Sequence, residues 1–169
     1  MLREKLAADL KTAIKAKDAA RVSTLRLITA AIKDRDIAAR VGETVAEDRA
    51  EGVSDAEILA ILARMIKQRQ ESAKVYEEGG RLDLADQERS EVVIIQDYLP
   101  RQLSEKEVAK AIAEAIAETG ASSIRDMGRV MARLKTRHTG RMDFARAGAA
   151  IKDAFRSSAP DPRPLTSPA

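Results

Sequence analysis

Arg125, Arg129 and Arg133 recur every fourth residue, and Lys135, Arg137 and Arg141 follow them closely. At ~100° per residue, the three arginines stack on one side of a helix while Ile124, Met127, Met131 and Leu134 take the other. Guanidinium groups one turn apart suit a phosphate backbone, the more so beside a helix N-terminus whose free N–H groups attract anions. These six cations are therefore the candidate RNA-binding residues. Aromatic residues make up only 2% of the chain. Base stacking has little to work with, and contact would be backbone-led and weakly sequence-specific. A solvated polar face that uses Arg gives the same pattern, so both readings stay open at this point.

Other chemistry finds few carriers. His138 is the only histidine and lies in the polar loop expected from Lys135 to Arg141, which contains Gly140 and where an exposed residue is expected. There is no cysteine, which removes a disulfide framework, a thiolate zinc site and a Cys nucleophile. No converging carboxylates with ligand spacing point to a metal. No Gly-rich phosphate loop or Ser–Lys pair stands out. The run from Lys67 to Ser72 is dense in polar groups and reads as a solvated face or a functional surface. No catalytic residue, metal or cofactor is expected from these residues.

Charge is unevenly spread. Residues 1–100 hold 17 Lys and Arg against 19 Asp and Glu, whereas residues 122–158 hold 9 against 3. The C-terminal end is thus matched to a polyanion or an acidic partner. The N-terminus enters mixed charge at once, and no signal peptide, membrane span or membrane partner is expected. A cytoplasmic protein is the plain expectation.

The elements that must position these cations are helical. The hydrophobic content of 44% supports a core, and 8 Gly with almost no aromatics favour aliphatic packing between helices. Leu2, Leu6, Leu10, Ala13 and Ile14 form a first apolar stripe; Val22, Leu25, Ile28, Ile32 and Ile37 form a second, with Asp18 as its cap. Gly42 to Val53 reads as a mobile acidic loop. Ser54 and Glu57 compose a capping box for a third helix that stops at Gly79-Gly80, where a left-handed cap is cheapest. Asp83 caps a fourth, bearing Val92, Val93, Ile95, Tyr98 and Leu99, which Pro100 ends. A second capping box, Ser104 and Glu107, opens the fifth, and Gly120 closes it. Ser123 caps the sixth and Asp143 the seventh. The expected architecture is all-α: an N-terminal bundle of about four helices over residues 1–99, a small three-helix domain over 100–156, and a disordered proline-rich tail over 157–169.

Several of these segments together resemble the YqeY-like family, which shares the GatB/YqeY domain. They are Arg21 to Ile28 with Ala30 to Lys33, Ile66 to Ala73, Gly80 to Ala85 leading to Tyr98-Leu99-Pro100, Thr119 to Ser122, Asp126 to Met131, and Gly140 to Asp143. The resemblance spans roughly residues 1–156. It implies a helical N-terminal domain and a three-helix C-terminal domain. The latter is similar to the tail of the GatB component of the glutamine-dependent aspartyl/glutamyl-tRNA amidotransferase, a tail associated with tRNA recognition. The resemblance also implies the family-level label of carbon–nitrogen ligase activity with glutamine as amido-N-donor, although the catalytic part of that component has no counterpart here. Family members commonly continue Gly-Arg-Ala-Asp-Gly-Lys where this chain has Gly140-Arg141-Met142-Asp143-Phe144-Ala145. Three functions follow as expectations: a non-catalytic accessory protein that binds tRNA or other RNA, a component of an amidotransferase acting with other proteins, or a protein–protein adaptor. The oligomeric state is open.

Overall fold

The computed structural model describes residues 1–41 and 52–157. The expected acidic loop, apart from Gly52 and Val53, and the expected proline-rich tail, apart from Ser157, lie outside the described residues. Among those residues there are seven α-helices and no strand. The helices are α1 (Leu2–Lys15), α2 (Ala19–Val41), α3 (Asp55–Glu78), α4 (Leu82–Gln96), α5 (Glu105–Thr119), α6 (Met127–His138) and α7 (Phe144–Ser157), with a 3₁₀ turn, Ile124–Asp126, before α6. The chain divides into two compact units, Met1–Gln102 and Leu103–Ala169.

Helices α1 to α4 bury their apolar stripes against one another in the first unit. Leu6, Leu25, Ile28, Ile32, Ile58, Leu62, Val92 and Ile95 are the centre of its core. Only part of each expected stripe goes inside. Ile14, Ile37 and Val93 are 48%, 58% and 61% exposed, because each sits at the margin of a stripe narrower than its apolar residues. Thr24 is the buried polar exception; its hydroxyl donates to the carbonyl of Ala20 one turn back, at 3.0 Å, which settles its polar group without a water.

The helix ends show how local chemistry fixes the bundle. Ser54 N–H donates to Glu57 Oε2 at 2.9 Å and Glu57 N–H returns a bond to Ser54 Oγ at 3.3 Å. Ser104 and Glu107 repeat the exchange at 2.8 and 3.3 Å. Two otherwise orphaned donors are satisfied at each start. Arg21 N–H donates to Asp18 Oδ1 at 3.0 Å, so the expected cap of α2 is present. At α4 the expectation fails: Arg81, not Asp83, is the residue before the helix, and Asp83 lies in its first turn. There it pairs with Arg81 while its negative charge faces the positive end of the helix dipole. Gly80 and Gly120 take left-handed φ of 73° and 62°, letting the next N–H reach back to close the helix: Arg81 to Tyr76 at 2.8 Å and Ala121 to Ile116 at 3.2 Å.

The second unit is small and its core is aliphatic. Ala111, Ile112, Ala115, Val130, Leu134, Met142, Ala147 and Ile151 are buried, with Met127, Met131, Phe144 and Phe155 packed around them. A Cβ on Gly148 would come within 3.2 Å of Met127 Cε, so the glycine lets α7 approach the start of α6. The chain leading into α5 is tied to the α6–α7 turn: Leu103 N–H donates to the Arg141 carbonyl at 2.8 Å.

Candidate nucleic-acid interface

The six candidate cations do not form one stripe. Arg129, Arg133 and Arg137 lie at four-residue intervals within α6 and share a flank. Arg125 stands in the 3₁₀ turn before the helix, where the tighter winding takes it out of register. Lys135, two residues after Arg133, is ~200° further round the helix and points from another side. Beside that flank, ~100° on from Arg129 and Arg133, Val130 and Leu134 are buried, and Val130 is absent from the expected apolar set. Ile124 is in that set but is 49% exposed, because it too belongs to the 3₁₀ turn.

Each arginine on the shared flank has a carboxylate. Arg129 Nη2 donates to Asp126 Oδ1 at 2.6 Å. Arg133 Nε donates to Glu118 Oε2 at 2.9 Å, and Arg137 Nη1 to Glu118 Oε1 at 2.7 Å. Glu118 lies near the end of α5, so the flank is stitched to the neighbouring helix rather than left open. Arg133 and Arg137 together hold the Glu118 carboxyl below the ordinary carboxylate range. Arg129, followed by the N–H groups of Ser122 and Ser123, does the same to Asp126. Those two N–H groups donate to Asp126 Oδ2 at 3.0 and 3.3 Å. Ser123 is the cap as expected, but of the 3₁₀ turn, where it forms a capping box with Asp126, and Asp126 in turn directly precedes α6.

The expected anion site at the start of α7 is already filled. Asp143 Oδ1 accepts from Ala145 N–H at 2.8 Å and Arg146 N–H at 3.3 Å. Asp143 caps the helix as expected, and for that reason its first donors are not free for a phosphate. Arg141 contributes its carbonyl to the Leu103 bond and its N–H to the His138 carbonyl, at 2.9 Å. His138 is not a loop residue. It ends α6, half-buried, four residues after Leu134 and on the same side of the helix. Its Nδ1 is shielded and has no hydrogen-bond partner among the described residues.

The remaining positive charge is distributed differently from the expectation. Arg125, Lys135, Arg146, Lys152 and Arg156 are exposed, and none has a carboxylate partner among the described residues. Three of these five lie on α7, with Lys152 and Arg156 one turn apart. The sequence pattern singles out Arg125 and Lys135 but passes over Arg146, Lys152 and Arg156. Their spacing is visible in the sequence; what is not is that the more conspicuous α6 arginines have partners.

In the first unit the polar run Lys67 to Ser72 splits by face. Arg69 turns inward, and its Nε donates to Glu91 Oε2 at 2.8 Å with the two side chains 13% and 16% exposed. Gln68, Glu71 and Ser72 line a shallow open groove with Val75 and Tyr76. Among the described residues, no group of three His, Cys, Asp or Glu side chains is placed to hold a metal ion. No helix among them is long and apolar enough to cross a membrane.

A family model described as Yqey-like protein matches residues 3–155. The match takes in nearly all of the chain, which therefore belongs to the YqeY-like family. No curated protein matches it.

Proposed function

We propose that this YqeY-like chain is a non-catalytic accessory protein that binds tRNA or another RNA through the basic surface of its C-terminal unit. The observation that carries the reading is the set of five exposed cations, Arg125, Lys135, Arg146, Lys152 and Arg156, without carboxylate partners among the described residues. Unpaired cations on a small helical unit attract a phosphate backbone by releasing its condensed counterions. The resemblance of this unit to the tail of an amidotransferase GatB component favours tRNA among RNAs. None of the aromatic side chains among the described residues is exposed as a platform for base stacking, so affinity rests on charge.

The test is binding of the full chain to a fluorescently labelled mixed tRNA preparation across a salt series. Five phosphate contacts predict a slope of log K against log salt of about −4. The triple replacement Arg125→Glu, Lys152→Glu and Arg156→Glu abolishes binding under the same conditions. Absence of binding by the unaltered chain at low salt, or binding indifferent to salt, overturns the reading. A protein partner captured equally well after ribonuclease treatment would favour the adaptor function. A transamidation rate that depends on added protein would favour the amidotransferase component.

A further inference from the structure

Among the described residues, Glu118 bridges two arginines of α6, and it does so from a different helix. It is not buried: Glu118 is 38% exposed, and Arg133 and Arg137 are 42% exposed each. The carboxylate thus contributes little to the core. What it does is occupy a cradle. Two guanidinium groups from successive turns converge on one anionic group from 2.9 and 2.7 Å, an arrangement into which a phosphate, with acceptor oxygens of its own, also fits. The neighbouring charges do not compete for the cradle: Arg129 is held by Asp126, and Glu114 lies by Lys110 at 3.8 Å.

We propose that Glu118 is an electrostatic latch, which fills the Arg133–Arg137 cradle in the free protein and gives way to a backbone phosphate when RNA binds. The inference rests on the RNA-binding reading above and adds a regulator to it. Exposed ion pairs are individually weak, because water and salt screen them. A polyanion that gains several contacts at once can therefore displace the carboxylate, whereas an isolated small anion gains too little. Displacement has a cost, since the freed Glu118 then lies close to the incoming phosphate. The latch lowers affinity for every polyanion and sets the number of simultaneous contacts needed before the α6 arginines join in.

The experiment compares the full chain with Glu118→Gln, Glu118→Ala, the pair Arg133→Gln/Arg137→Gln, and Glu118→Gln combined with that pair. The probe is fluorescently labelled mixed tRNA over a potassium chloride series, with circular dichroism to verify that each variant keeps its helices. Both Glu118 replacements should bind about 3- to 10-fold tighter near 50 mM salt, with the salt slope steeper by about 1 to 2. That gain should vanish when Arg133 and Arg137 are absent. If the unaltered chain binds and both Glu118 replacements bind equally or more weakly, the latch is wrong and RNA binding stands; weaker binding would make Glu118 an organiser of the arginines. Binding by none of the proteins at low salt removes the RNA reading and the latch with it.

Discussion

The best-covered of the described arginine pairs lie in the first unit, and those of the second are exposed. In the first, Arg69 and Arg3 tie helices together at partly covered sites, although Arg35, Arg81 and Arg89 form their pairs in solvent. Arg69 meets Glu91 across α3 and α4 with both side chains mostly covered. Arg3 forms a two-pronged pair with Asp36, at 2.9 and 3.0 Å, and Asp36 also accepts from Val53 N–H at 2.8 Å. In the second unit the pairs of Arg129, Arg133 and Arg137 lie in solvent, and Arg125, Lys135, Arg146, Lys152 and Arg156, like Lys106, have no described carboxylate at all. The same residue type is a structural tie in one place and an accessible charge in the other. The difference lies in the surroundings of the charge, and a count of charges along the chain does not separate the two cases.

Substitutions can break that comparison or sharpen it. The largest effects come from the cores, where the units should behave alike: Ile28→Ala and Ile151→Ala each cost about 2–5 kcal/mol in chemical denaturation, because both leave a cavity in a fully buried position. The smaller second unit has less stability to lose, so its variant should show the greater loss of helix at 37 °C by circular dichroism. Arg69→Ala leaves Glu91 part-buried without its partner, at a cost of about 2 kcal/mol. A negligible effect would place Arg69 among the solvent-facing charges after all.

Tyr98 supplies a smaller effect with a pH signature. Its hydroxyl donates to Asp9 at 2.7 Å. Burial and then that bond push its pKa from 10.0 to about 12. The neutral phenol is the form that the folded state favours, so its contribution is complete below pH 10 and is lost as pH rises toward 12. Tyr98→Phe should cost about 1 kcal/mol at neutral pH and flatten the alkaline decline in stability followed by denaturation. The smallest change is expected from Arg129→Ala, whose exposed pair should leave the melting temperature where it was. A clear drop would move the α6 flank into the structural class.

What can be read from the sequence is what depends on near neighbours. The Ser54–Glu57 and Ser104–Glu107 boxes, the Asp18 and Asp143 caps and the left-handed Gly120 are decided within a few residues, and all are legible. The α6 arginines are legible as a pattern but not as a surface, because Glu118 meets them from 15 and 19 residues away. Arg125 escapes the stripe because a 3₁₀ turn has no strong signal that separates it from the first turn of an α-helix. His138 reads as a loop residue because Gly140 lies close by, although its four-residue offset from Leu134 continues the inward side of α6. Ile37 and Val93 show the limit of apolar periodicity: it finds the stripe and not its edge.

The bond from Leu103 N–H to the Arg141 carbonyl joins two segments far apart in sequence, and both flank helices rather than belong to them. Neither helix needs it in order to form. The Leu103 amide is therefore shielded from exchange with deuterated water by the docking of the segment before α5 on the α6–α7 turn, not by helix formation. One backbone resonance thus distinguishes a unit whose helices have formed from one that has closed.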